Sequence, residues 1–150
     1  MIEERDLKLR KIEKSDSELI LNWRNNPQIY KYLLSPNPVM EEEHESWFKL
    51  QLANNKVGFY IAYYGDIPCG AIRFDFNNDL SEAEVGIYID PMFFGKGLGS
   101  SLLNLGEQKV KEKSKSIKLM ARVLEENTAS KKMFLKNDYK IKQITLEKEV

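Results

Sequence analysis

The stretch from Val85 to Leu103 leaves few folds open, because it joins three local structures that follow one another in only a narrow set of topologies. Val85-Gly86-Ile87-Tyr88-Ile89 is a short β-branched and aromatic run, the composition of a buried strand. Asp90-Pro91 ends it, since proline has no amide hydrogen to extend a ladder. A glycine-rich turn follows, and beyond it Leu98, Leu102, Leu103, Leu105 and Val110 recur at helical spacing, with Lys109, Lys111, Glu112 and Lys113 largely off that stripe. The pattern predicts a helix that starts near Gly97 or Leu98, with its first amides pointing back into the turn.

Glycines at 95, 97 and 99 leave the backbone N–H groups of that turn uncovered, and the helix N-terminus adds partial positive charge. With the charge of Lys96 and a hydroxyl from Ser100 or Ser101, the stretch can bind an anion. The plainer reading is that the glycines only permit a tight strand-to-helix turn. Neither familiar phosphate loop fits. Lys96 is followed by Gly97 rather than Ser or Thr, and Leu102 stands where the dinucleotide fingerprint needs a further glycine.

The chain before this stretch divides cleanly. Leu7 to Ile12 alternates apolar and basic residues, as a half-buried first strand does. Ser15 or Asp16 can cap a helix carrying Leu19, Ile20 and Trp23, which Asn26-Pro27 ends or bends. Ile29 to Leu34 reads as a second short helical piece, and Met40 to Ala53, with Glu41, Glu42 and Glu43 at its start, as a third. Val57 to Tyr64 and Ile67 to Phe76 are strands joined at Gly65-Asp66, and Asn77-Asn78-Asp79 turns the chain into Ala83 to Ile89, an antiparallel meander. After the glycine turn and its helix come a strand over Ile117 to Leu124, a helix over Asn127 to Lys136 and a last strand over Tyr139 to Leu146, the order of a parallel crossover.

A chain of 150 residues with this continuous order makes one domain, residues 1–150. Its formal net charge is zero, so no overall field draws it to nucleic acid or an anionic membrane. No stretch has the apolar length of a signal or a membrane span, which points to the cytoplasm. The lone Cys69 sits among apolar neighbours and reads as a buried thiol. With one histidine, His44, and no thiolate cluster, no metal site is expected.

Ile89-Asp90-Pro91 followed by Gly95-Lys96-Gly97-Leu98-Gly99 and a small residue resembles the acetyl-CoA pyrophosphate loop of the GNAT family of N-acetyltransferases. Phe94 occupies the place where that motif has Arg or Gln. Asn127 to Tyr139 resembles the family's Asn, Ala, Tyr, Lys, Gly-Phe ending, with Phe134 for the tyrosine and Asp138-Tyr139 for Gly-Phe. The order of elements is similar to the family over nearly the whole chain. The resemblance implies an α/β (α+β) fold: a mixed central sheet of six to seven strands, splayed in the middle and flanked by about four helices. One strand fits after Tyr139 where the family closes with two.

The resemblance also implies a chemistry. Acetyl-CoA is the cofactor, its pyrophosphate held by Gly95, Lys96, Gly97, Leu98, Gly99 and Ser100. The backbone of Ile87, Tyr88 and Ile89 bonds the pantetheine and carbonyl, and Asn127 lies near the thioester. Glu84, beside the reacting strand, is the first candidate for general base, with ammonium binding or a solvated strand face as the alternative; a water chain is a further one. His44 is the second candidate, although a lone histidine is more often structural. The glutamate that ribosomal-protein acetyltransferases place on the following strand is Arg122 here. With Phe134 in the tyrosine position, Ser130 or water is left to protonate the departing sulfur.

The front segment, from Asn22-Trp23-Arg24-Asn25 to His44-Glu45-Ser46-Trp47, resembles the branch that acetylates nucleotide-linked amino sugars, as in pseudaminic acid biosynthesis. On that resemblance Arg24, Asn25 and Asn26 bind sugar or phosphate oxygens and Trp47 or Phe48 stacks on a nucleobase; the plainer reading is an amphipathic helix and turn. The same front occurs in relatives that act on ribosomal-protein N-termini and on polyamines. The acceptor is therefore a small-molecule amine or a protein N-terminus, and a homodimer stays open. A non-catalytic acyl-CoA-binding module is the reading of another class, motivated by Phe94, Phe134 and Arg122.

Overall fold

The computed structural model describes residues 1–150. Five strands form one sheet in chain order: β1 (Leu7–Lys11), β2 (Val57–Tyr64), β3 (Ile67–Phe76), β4 (Glu82–Ile89) and β5 (Lys118–Met120). β1 to β4 pair antiparallel, and β5 joins β4 in parallel through the crossover helix. The helices are α1 (Ser17–Arg24), α2 (Pro27–Tyr30), α3 (Glu41–Ala53), α4 (Leu98–Lys113) and α5 (Thr128–Lys136). None is long and apolar enough to cross a membrane.

Strand alternation sends side chains to opposite faces, and each face has its own core. Ile20 and Trp23 of α1, Ile29 of α2 and Phe48 of α3 pack on Phe59, Ile61 and Ala71. On the other face Leu98, Leu102, Leu103 and Val110 of α4 pack on Ile72, Phe74 and Val85, and Phe134 of α5 joins them. Gly106 lets α4 lie close: a Cβ there would meet Ile72 Cδ1 at 2.6 Å. Cys69 is buried as expected, and burial pushes its thiol pKa up to about 11, so it is protonated and inert at neutral pH. It lies opposite a register shift between Ala62 and Tyr63, a bulge that bends the end of β3.

Several boundaries depart from the sequence reading. Asp16 precedes α1 without capping it through its side chain. The carboxylate instead takes both Nη groups of Arg10 at 2.9 Å and the Glu13 amide at 2.7 Å, while Arg10 also donates to the Tyr63 hydroxyl at 2.6 Å. The strand expected over Ile117 to Leu124 is only Lys118–Met120. The last strand, expected over Tyr139 to Leu146, does not form, so the sheet has five strands rather than six or seven and no crossover follows β5. The physical reason is a missing neighbour: β5 stops at Met120, leaving residues 139–146 no continuous strand to pair with, and Ile141 and Ile144 stand 66% and 75% exposed.

The Arg10–Asp16 pair generates a stability test. Burial works to raise the Asp16 pKa, but the hydrogen bonds from Arg10 and the Glu13 amide outweigh it and hold the carboxyl below its ordinary 3.8. A depressed carboxylate stabilises the fold fully above its unfolded value and loses that contribution as pH falls through the folded one. Asp16→Asn is expected to cost about 2 kcal/mol at pH 7 and progressively less below pH ~4, read from urea unfolding at both pH values.

Candidate active site

Parallel pairing of β4 with β5 covers only Glu82 with Lys118, Ala83 with Leu119 and Glu84 with Met120. Beyond Glu84 the two strands part, while β4 remains paired with β3 through Ile89. The edge of β4 from Val85 to Ile89 therefore faces a split in the sheet, as the expected splay requires. Asp90 fixes the top of that strand: its carboxylate accepts from the Met92 amide and from Trp23 Nε1, both at 2.9 Å, tying the turn to α1.

The glycine turn opens beside this split. Gly95 and Gly97 have φ of +75° and +76°, and Gly97 directly precedes α4. Residues with a Cβ reach that region only at a cost of roughly 1–2 kcal/mol, which explains glycine at both positions. None of the amides from Gly95 to Ser100 donates to an acceptor within the chain. Lys96 is exposed and makes no ion pair. The Ser100 hydroxyl oxygen accepts from Asn137 Nδ2 at 3.0 Å, which leaves its proton free to donate elsewhere. Ser101 is instead buried and donates to the Ile2 carbonyl at 2.9 Å, and the Ile2 amide donates to the Lys96 carbonyl at 2.8 Å. The loop is thus braced from behind by the start of the chain. Periodicity carries no signal for this contact, nor for the Trp23–Asp90 bond.

The remaining candidates fall into separate groups. Asn127 is the N-cap of α5, its Oδ1 accepting from the Ser130 amide at 3.3 Å, so both sit at the start of that helix. Phe134 is buried, edge-on to Tyr139 with centroids 5.0 Å apart. Glu84 spans the mouth of the split: Arg122 Nη2 donates to Oε2 at 3.0 Å and Arg122 Nε to Oε1. His44 lies elsewhere. It is 3% exposed, packed on Trp47 and Phe48, with Nε2 donating to the Ser17 carbonyl at 2.9 Å across the α1–α3 contact.

Arg24 and Asn25 both brace the loop that follows α2. Arg24 donates to the carbonyls of Asn37 and Ser35, and Asn25 exchanges hydrogen bonds with the Val39 backbone at 2.8 and 2.9 Å. One face of Trp47 is covered by the Arg73 guanidinium, 4.8 Å from its centroid. Tyr88 lies on that same side of the sheet, its phenol pKa raised by burial against the pull of Arg24 and Arg73.

A sheet split after β4, with a glycine turn and helix start beside it, offers main-chain donors to a ligand that lies across both. Residues 6–140 match the family described as Acetyltransferase (GNAT) domain, and the chain belongs to that family. An uncharacterized protein of Methanocaldococcus jannaschii is 31% identical over 136 residues, covering 84% of this chain and 26% of that protein. The chain thus spans about a quarter of that relative's length. Acetyltransferase PseH of Campylobacter jejuni is 26% identical over 130 residues, 87% of this chain and 80% of PseH. Among solved structures, a domain from Methanocaldococcus jannaschii superposes with a TM-score of 0.81 at 27% identity, covering 94% and 92% of the two chains. The spermidine N-acetyltransferase of Vibrio cholerae, solved with CoA and spermine, gives 0.80 at 22% identity, covering 88% and 79%.

The family's acetyl donor is acetyl-CoA, and the residues present suit it. Six consecutive amides without an internal acceptor match a pyrophosphate, and the free β4 edge matches the amides of a pantetheine arm. Gly97→Val is expected to weaken acetyl-CoA at least tenfold in calorimetric titration while the far-ultraviolet dichroism stays native, because it re-aims those amides. Phe94, 49% exposed beside the turn, contributes no donor, so Phe94→Arg should leave the affinity unchanged or modestly higher.

Proposed function

We propose that this chain is an acetyl-CoA-dependent N-acetyltransferase that transfers acetyl directly to a primary amine, an amino sugar on a nucleotide carrier being the favoured acceptor. The observation that carries the reading is the free amide run from Gly95 to Ser100 set beside the opened β4 edge. Bound acetyl-CoA supplies an activated thioester carbonyl. The chain's own part is to hold the two reactants in line and to manage two protons. The amine nitrogen forms its bond to the acetyl carbon as the carbon–sulfur bond breaks, so one proton must leave nitrogen and sulfur must depart as thiolate or take a proton.

Glu84 is the group assigned to the first task, directly or through water, from its place where β4 and β5 part. Arg122 holds the carboxylate in position there. Ser130 and water are assigned to the sulfur, because Phe134 has no proton to give. A thiol with a pKa of roughly 8.5 leaves largely unassisted, so the missing phenol weakens the arrangement without preventing transfer. His44 is fixed in the α1–α3 packing and serves better as a brace than as a base.

The front segment's resemblance to the amino-sugar branch and the similarity to PseH favour that acceptor class. Arg24 and Asn25 serve it indirectly, by fixing the loop through Asn37 and Val39. A polyamine would need uncompensated carboxylates, whereas Glu84 and Asp75 are each paired with an arginine. A protein N-terminus remains the second acceptor class. Hydrolysis-corrected thiol release with a panel of amines tests the enzyme against a mere acyl-CoA binder. Glu84→Gln is expected to slow transfer about a hundredfold with acetyl-CoA affinity unchanged. Full activity of that variant toward a high-pKa amine across neutral pH would transfer the proton to a water relay.

A further inference from the structure

The side of the sheet that carries Glu84 also carries a row of charges that the acetyl-donor site does not explain. Asp75 of β3 is the register partner of Glu84 on β4, and Arg73 is the register partner of Gly86. Arg73 thus sits one step along the ladder from the proposed base, on the way to Tyr88, whose partner is Ala71. Two aromatic rings hold its guanidinium: Trp47 of α3 at 4.8 Å and Phe59 of β2 at 5.7 Å. Nη2 donates to Gln51 Oε1 at 2.8 Å and to Asp75 Oδ1 at 2.6 Å.

The rest of the guanidinium is unmatched. Nη1 has no acceptor in the chain, and Nε is buried with none. Nε is closed to solvent whereas Nη1 is not, so Nη1 is the unmatched donor that a further acceptor can reach. Gly86 leaves the space beside it open: the residue is exposed, and a Cβ there would meet nothing within 4 Å. Asp75 and Glu84 are each paired with an arginine, so neither carboxylate stands uncompensated beside that open space.

We infer that Arg73 determines acceptor specificity, receiving a carboxylate or phosphate carried by the amine substrate above the Arg73–Gly86 pair. This rests on the N-acetyltransferase reading and narrows it to amines that bear an anionic group near the nitrogen. Trp47 and Phe59 hold the guanidinium in place with Nη1 unmatched, so little side-chain freedom is lost on binding.

The test compares glucosamine 6-phosphate with glucosamine, glycine with its methyl ester, and spermidine, each with acetyl-CoA and the full chain. The wild type is expected to favour the anionic member of at least one pair by about tenfold or more in kcat/KM, and the preferred pair tells phosphate from carboxylate. Arg73→Gln should raise KM for that acceptor about tenfold with kcat nearly constant and leave its neutral partner unchanged. Arg73→Lys, which keeps the charge and the fold but not the fork, should fall between them. Calorimetric titration of the anionic acceptor onto the protein with coenzyme A present should show the same loss without turnover. Equal use of charged and neutral acceptors by the wild type, or an equal loss for both in Arg73→Gln and Arg73→Lys, overturns the assignment. Absence of acetyl-CoA binding in the wild type would instead overturn the acetyltransferase reading on which it stands.

Discussion

The structure depends on a parallel strand pair that is abandoned after three residues. A sheet normally pays for each backbone group by bonding it to a neighbour, and β4 gives up that partner beyond Glu84. The opened edge persists because β4 is held elsewhere. Its other side is bonded to β3 along its length, its end is fixed by Trp23 and Met92 on Asp90, and α4 lies close beneath β3 at Gly106. A free strand edge and a free helix start then lie side by side on a rigid support. Both offer backbone donors, which suits a ligand with amides along one arm and a pyrophosphate at the arm's end.

The backbone origin of those donors explains why side chains typical of the family can be replaced. Phe94 brings no charge to the pyrophosphate turn, yet the six amides and Lys96 are unaffected by it. Phe134 brings no phenol, and its ring is buried against Tyr139 as part of the core. Tyr139 compensates structurally, bonding Glu107 at 3.1 Å, and burial together with that carboxylate pushes its pKa up. It is thereby held as a neutral donor within the fold, remote from the role of an acid that must give up its proton.

What the sequence makes legible is what is local. The strand, proline, glycine turn and helix from Val85 to Lys113 lie in one stretch, so composition and period locate them to within a residue, and α4 begins at Leu98 as the spacing requires. Strand lengths at the sheet's open side are not local. Ile117 to Leu124 has strand composition throughout, but only Lys118–Met120 has a β4 partner, and Tyr139 to Leu146 has none. The same limit applies to the site. Glu84 is a candidate in the sequence because it adjoins the Val85 to Ile89 run, whereas its hold on Arg122 and the clamp of Trp47 on Arg73 arise only when helix and strands meet. His44 shows the converse. Its isolation in the sequence leaves it open as a base, and the Ser17 carbonyl and two rings around it give it a packing role.

The division of labour between the two sides of β4 has a consequence for specificity. The glycine turn offers main-chain donors, so a substitution there acts by altering φ at Gly95 or Gly97 or, at Gly99, by meeting Met133 Sδ at 2.5 Å from an added Cβ. The face of the sheet that carries Glu84 is built instead from side chains on α3, β2, β3 and β4: Trp47 and Phe59 hold Arg73, Arg73 pairs with Asp75, and Arg122 pairs with Glu84. Removing the arginine of one pair leaves that pair's carboxylate without its partner, while the other pair is untouched. The turn's donors are set by φ and by the helix start, whereas the charges on this face depend on which side chains the neighbouring elements bring to it, a contribution that backbone geometry does not dictate.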